Sequence, residues 1–139
     1  MIEFMQVRPN GEIVMQGECP ESQLKYQKEP GCRLVLGDGR FDTHFYDWIK
    51  KETVLLPPKP SDYHWFDYDK KMWVIRKEEA LLLIRSERDK RIAESDWVLL
   101  DDVPLSDGKR NEWKIYRQKL RDITKTPNLG NLQWPVKPK

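Results

Sequence analysis

Apolar residues run through this chain in two rhythms, and the change falls near residue 76. Before it they come in short clusters divided by turn formers, the pattern of strands. Phe4, Val7 and Ile13-Val14-Met15 flank Pro9-Asn10-Gly11, and Asn-Gly between apolar runs predicts a hairpin. Pro20-Glu21-Ser22-Gln23-Leu24 opens like a short helix that stops before Pro30-Gly31. Arg33–Leu36 and Phe41–Trp48 flank Gly37-Asp38-Gly39, which predicts a second hairpin. In the latter run Phe41, Thr43 and Phe45 alternate with His44, Tyr46 and Trp48, so both faces carry bulk. Residues 53–60 read as a strand running into a polyproline-like connector, since proline lacks the amide a sheet interior needs. The aromatic run from Tyr63 to Ile75 turns at Asp69-Lys70-Lys71, a third hairpin.

From Lys77 the spacing is helical. One helix is predicted over 77–95, with Glu78 and Glu79 at its positive end and Arg85, Arg88, Lys90 and Arg91 later. Leu81, Ile84 and Ile92 share a face, while Leu82 and Leu83 point elsewhere. The first turns are therefore apolar nearly all round and expected to be covered on more than one side, either by the β-rich part or by a partner. A second helix is predicted over 106–124, capped by Ser106, with Trp113, Tyr116, Leu120 and Ile123 as its core stripe. A short link makes the two an antiparallel hairpin, its closed end plugged by Trp97 and Val98-Leu99-Leu100. The tail beyond Thr124 is extended. These elements give an α+β fold, with a β-hairpin-rich domain over 1–76 and a helical hairpin module with a Trp-Pro tail over 77–139.

Composition narrows the function classes. At 139 residues the chain has room for one domain, or a small domain with an appendage. Its 25 basic and 23 acidic residues nearly cancel, which gives no electrostatic reason to expect nucleic acid. Six tryptophans spread along the chain argue against disorder. No signal-peptide pattern and no membrane-length apolar run is present, so a soluble protein made in the cytoplasm, with no membrane partner, is expected. Cys19 and Cys32 are then expected as free thiols.

Catalytic chemistry finds little footing. There is no Gly-rich phosphate loop, no zinc-protease helix motif and no nucleophile elbow. Asp42, His44, Asp47, Asp62 and His64 are the only candidates for a metal or acid–base cluster, and strand spacing splits them between faces. No enzyme, no metal and no cofactor are expected. Contact features are plainer. Arg110, Lys114, Arg117 and Arg121 fall at i, i+4, i+7 and i+11, a cationic stripe beside the aromatic one. It either grips an acidic, apolar partner or pairs locally, Arg117 or Arg121 reaching Asp96, Asp101 or Asp102. Trp134-Pro135 in the tail either straps the hairpin or docks on a partner. With Leu82 and Leu83, these residues make up the candidate partner-binding set.

Residues 88–138 also carry a composite pattern. It comprises Arg88, Arg91, Ser95, Asp96, Trp97, Leu100, Asp102, Pro104, Leu105 and Ser106. Trp113, Tyr116, Arg117, Leu120, Arg121, Asp122 and Ile123 follow, and then Trp134, Pro135, Lys137 and Pro138. In this order and register the segment resembles the C-terminal module of bacteriophage tail assembly chaperone and tail-fibre-associated proteins. The Pro-x-Pro, aromatic-strand and Trp-Val segment before it is similar to stretches of phage tail-fibre and fibre-chaperone proteins. The resemblance implies a non-enzymatic protein that binds tail, tail-fibre or baseplate components during assembly in the host cytoplasm. The alternative it leaves is a permanent minor component of the virion tail, an adaptor or cap on baseplate or fibres. A homo-oligomer is compatible with both.

Overall fold

Gly11 takes a φ of +88°, a region that favours glycine, and there the chain reverses. Strand β1 (Ile2–Val7) consequently pairs antiparallel with β2 (Ile13–Cys19), from Ile2↔Cys19 to Val7↔Ile13, with a bulge at Gln6/Val7. The computed structural model describes residues 1–139. On the other edge of β1 lies β3 (Arg33–Leu36), also antiparallel, giving a three-stranded sheet in the order β2-β1-β3. A short 3-10 helix, Glu21–Tyr26, replaces the helix opening expected at Pro20. Met5 and Val7 share one face of β1, and with Ile13 and Tyr46 they form the first apolar core, flanked by Val35 and Trp48. Gln6, on the opposite face, is buried and donates its side-chain amide to the Gln27 carbonyl.

The hairpin expected at Gly37-Asp38-Gly39 does not form. β3 finds its partner in β1, and the Gly37 amide extends that ladder by donating to the Glu3 carbonyl at 2.9 Å. Gly37, Arg40 and Asp42 then all take positive φ, turning the chain away before a return strand can align. Of the predicted run Phe41–Trp48 only β4 (His44–Asp47) is strand, and it pairs with β5 (Glu52–Leu55). The reversal is built by Asp47, whose carboxylate accepts from the Ile49 and Lys50 amides at 2.9 and 3.0 Å, while Lys51 takes the positive φ. Donation from the Lys50 amide holds the Asp47 carboxyl below its ordinary range, against a smaller opposing effect of burial.

The third hairpin forms as expected, β6 (His64–Asp67) with β7 (Met72–Ile75), and it repeats the second. His44-Phe45-Tyr46-Asp47 recurs as His64-Trp65-Phe66-Asp67, Lys50-Lys51 as Lys70-Lys71, and Val54-Leu55 as Val74-Ile75, always twenty positions later. Geometry repeats with sequence. Asp67 accepts from the Asp69 and Lys70 amides at 3.0 Å, and Lys71 has the φ of Lys51. Each histidine shares a hydrogen bond with a nearby hydroxyl, His44 Nδ1 with Thr43 and His64 Nδ1 with Ser61. Phe45 stacks on Phe66 at 6.2 Å, and Phe66 meets the edges of Tyr68 and Trp73. Burial, and then the charges of Glu12 and Asp42, push the Tyr68 hydroxyl above its ordinary value.

Helices α1 (Lys77–Glu94) and α2 (Asp107–Arg121) follow, within two or three residues of their predicted limits, so the fold is α+β. The chain packs as two units. Residues 1–59 and 66–73 make the first, and residues 60–65 and 74–139 the second. Cys19 and Cys32 are free thiols. No helix is long and apolar enough to cross a membrane.

Gly11→Ala should be costly for two reasons. The φ is left-handed, and the new Cβ would collide with the Tyr46 carbonyl oxygen. A loss of about 2–3 kcal/mol is expected, combining backbone strain and overpacking, and urea unfolding would measure it.

Candidate interaction surface

The second unit is organised by two apolar clusters. Ala80 and Ile84 of α1 join Ile123 and Leu129, with Tyr63, Trp65, Leu81 and Leu132 around them. Val98 joins the α2 stripe of Trp113, Tyr116 and Leu120, with Ile92 and Leu105 beside them. Ser106 caps α2 by accepting from the Lys109 amide at 3.2 Å, which fixes where the helix starts. Glu87 and Arg91 pair across one turn of α1 at 2.8 Å, and that hydrogen bond holds the Glu87 carboxyl below its ordinary range. After α2, hydrogen bonds from Lys125 and then Gln118 lower Asp122 likewise.

Trp134 touches both clusters. Its indole NH donates to the Tyr63 hydroxyl at 3.3 Å, and the Arg91 guanidinium lies 4.3 Å over its ring. The tail is therefore a strap across the helical hairpin. Trp134 and Pro135 are half-buried, whereas Val136 is exposed.

The four cations of the predicted stripe divide in two. Arg117 is buried, 5% exposed. Its Nη1 donates to the Ile92 carbonyl at 3.0 Å, the Ser95 hydroxyl at 2.6 Å and the Asp96 carboxylate at 2.9 Å. The last of these is the local pairing that the sequence left open. A cation is favoured here because the final carbonyls of α1 carry its negative end. Arg110 donates to the Val98 and Val103 carbonyls at 3.2 and 2.8 Å. Lys114 and Arg121 remain in solvent, with the exposed Ile115 beside Lys114 in sequence.

Leu82 and Leu83, candidates for partner contact, are 66% and 49% exposed, because α1 packs through its Ala80–Ile84 side. One expectation about apolar positions is corrected. Trp97 and Val98-Leu99-Leu100 were expected to plug the closed end of the hairpin. Only Val98 does. A 3-10 turn over Asp96–Leu99 sends one residue inward and leaves its neighbours at the surface. Trp97 keeps an edge contact with Trp113 at 5.3 Å, and Leu99 and Leu100 face water. Sequence reasoning missed this surface because a four-residue apolar run looks buried. The available signal was its setting, since no Lys or Arg occurs from Ile92 to Gly108.

Among the side chains considered for chemistry, His44 is bonded to Thr43 and His64 to Ser61. No group of three or more His, Cys, Asp or Glu residues converges.

Comparison with known proteins places part of the chain. Residues 81–139 match the family model described as phage tail assembly chaperone protein. The match runs from the first turns of α1 through the tail strap and covers the segment 88–138 whose residues carried the resemblance. Residues 1–80 lie outside it. No curated protein and no solved structure matches the chain.

Two substitutions separate the roles of the tryptophans. Trp113→Ala should cost about 3–5 kcal/mol as a large-to-small change in the core, and Trp97→Ala, half in water, about 1 kcal/mol. Chemical denaturation of both variants would show the difference. Arg117→Met should cost about 2–3 kcal/mol, since the Ser95 hydroxyl loses a charged donor while Asp96 can rehydrate. A variant as stable as the parent would show that the buried guanidinium does not hold the loop.

Proposed function

We propose that the protein acts in bacteriophage tail assembly, holding a tail or tail-fibre component by contact and without turnover. The observation that carries this reading is the match of the helical unit to the phage tail assembly chaperone family. Its surface chemistry supports it. Leu82 and Leu83 on α1, and Ile115 beside Lys114 on α2, are large apolar side chains left in water on otherwise well-packed helices. Such a surface can cover apolar regions of a partner before they polymerise. Lys114 and Arg121 are free to steer an acidic partner, whereas Arg110 and Arg117 are engaged inside the unit. The host cytoplasm is the setting of this role.

A second reading is a permanent adaptor or cap on the baseplate or fibres. It is favoured by the first unit, which forms its own core outside the matched segment, as suits a chain that joins two components. Mass spectrometry of purified virions separates the two. Absence from the particle supports the assembly role, and stoichiometric recovery supports the adaptor.

Leu82→Ser/Leu83→Ser and Lys114→Glu/Arg121→Glu should leave the circular dichroism spectrum unchanged, because all four side chains are exposed. Each pair should lower the yield of soluble tail protein on co-expression. The charge-reversal effect should shrink at high salt, where exposed charges are screened within about 8 Å or less. Full yield with both variants would remove this surface from the proposal.

A further inference from the structure

The turn between the helices combines two properties that seldom occur together: it is firmly held, and it is apolar on the outside. Trp97, Leu99 and Leu100 are 42%, 59% and 57% exposed. A loop that displayed such side chains only for want of a partner inside the molecule would gain by collapsing onto the helices. This one is kept from collapsing. Arg117 ties down its start through Ser95 and Asp96, and Arg110 grips the carbonyls of Val98 and Val103 on either side of the two leucines. Buried Val98 anchors the middle, and amide donations from Val98 to Ser95, Leu100 to Trp97 and Val103 to Leu100 close successive turns. The backbone conformation is thus set before any partner arrives, which lowers the ordering cost of binding.

Charge identifies the kind of partner. From Ile92 to Gly108 the chain carries Glu94, Asp96, Asp101, Asp102 and Asp107 and no basic residue. Asp96 is answered by Arg117. Asp101 and Asp102, immediately after the exposed leucines, are both exposed and enter no ion pair in the molecule. An apolar knob rimmed by unanswered carboxylates complements a segment with Lys or Arg around apolar side chains.

We infer that the Trp97–Asp102 turn is a docking knob for a cationic, apolar-centred segment of the tail protein that this chain holds. The inference rests on the assembly role proposed above and assigns the partner segment a charge opposite to the one that Lys114 and Arg121 would select. Two faces of opposite sign on one small unit fix the orientation of the partner as well as holding it.

The test uses the full chain and a synthetic peptide of alternating Lys and Leu, with Glu-Leu and Lys-Ser peptides as controls. Calorimetry measures affinity, and amide NMR shifts locate the contact. The Lys-Leu peptide should perturb residues 96–103 and bind there better than either control. Leu99→Ser/Leu100→Ser should weaken it by about tenfold, as loss of a central apolar anchor does. Asp101→Asn/Asp102→Asn should weaken it by about threefold or more at low salt, with the difference closing as salt rises. Unchanged affinity in both variants, equal binding of the Glu-Leu peptide at residues 96–103, or Lys-Leu shifts lying elsewhere would overturn the inference. So would sedimentation showing a self-associated form that the leucine pair abolishes, because the occupant would then be a second copy of this chain. Co-expression with tail proteins tells this failure from failure of the assembly role. If the leucine variant still keeps its tail protein soluble, the knob is wrong and the role stands; if the parent chain keeps none soluble, the role falls.

Discussion

A single guanidinium held out of water sets the geometry of the helical unit. Arg117 projects from the later turns of α2 to the Ile92 carbonyl, Ser95 and Asp96 at the end of α1, so the phase of one helix is locked to the end of the other. Its charge would be expensive to bury alone. It is tolerable because a carboxylate, a hydroxyl and a carbonyl receive it, and because the helix end there is electronegative. With that contact fixed, the stripe of Trp113, Tyr116 and Leu120 faces inward, Val98 is carried into it, and the rest of the turn has nowhere to go but outward. Packing and display are two results of one placement.

What could be read from sequence follows how local each determinant is. The helix limits were legible because a Ser106 cap and a 3-4-3 spacing act within a few residues. The Asn10-Gly11 and Asp69-Lys70-Lys71 reversals were legible for the same reason. The partner of β3 was not, because β1 lies some thirty residues earlier and competes with the nearer Phe41–Trp48 run. Positive φ at Arg40 and Asp42 turns the chain away from a return strand, and Arg40 at least does not advertise it. At the candidate site, the i, i+4, i+7, i+11 spacing placed four cations on one helix face. It could not show that Arg110 and Arg117 would turn to the loop while Lys114 and Arg121 stayed in solvent. The exposure of Leu99 and Leu100 depends on that same turning, so it too was hidden.

The tandem hairpins show a different kind of legibility. The twenty-residue repeat is present in the letters, yet His, Asp and Lys-Lys are unremarkable until the structure gives each a task. Asp47 and Asp67 then prove to be the same device, a carboxylate collecting two amides ahead of a lysine at positive φ. Reuse of one small motif gives an aromatic cluster around Phe45 and Phe66 without a larger sheet. Two-stranded pieces of this size are marginal alone. Their stability rests on these aromatic contacts.

The bond between Trp134 and Tyr63 has a consequence for biosynthesis. The two residues are 71 positions apart. At about 5–20 residues per second, a ribosome needs roughly 4–14 s to deliver the second after the first. Within that interval, from the synthesis of Ile84 to that of Ile123, Ala80, Leu81 and Ile84 are present without Ile123, Leu129 and Trp134, which pack against them. The helical unit cannot close as it is made; it must wait for its strap. The unit thus passes through a stage in which its own apolar surface is unshielded, and the dense charge on α1 helps keep that nascent helix in solution.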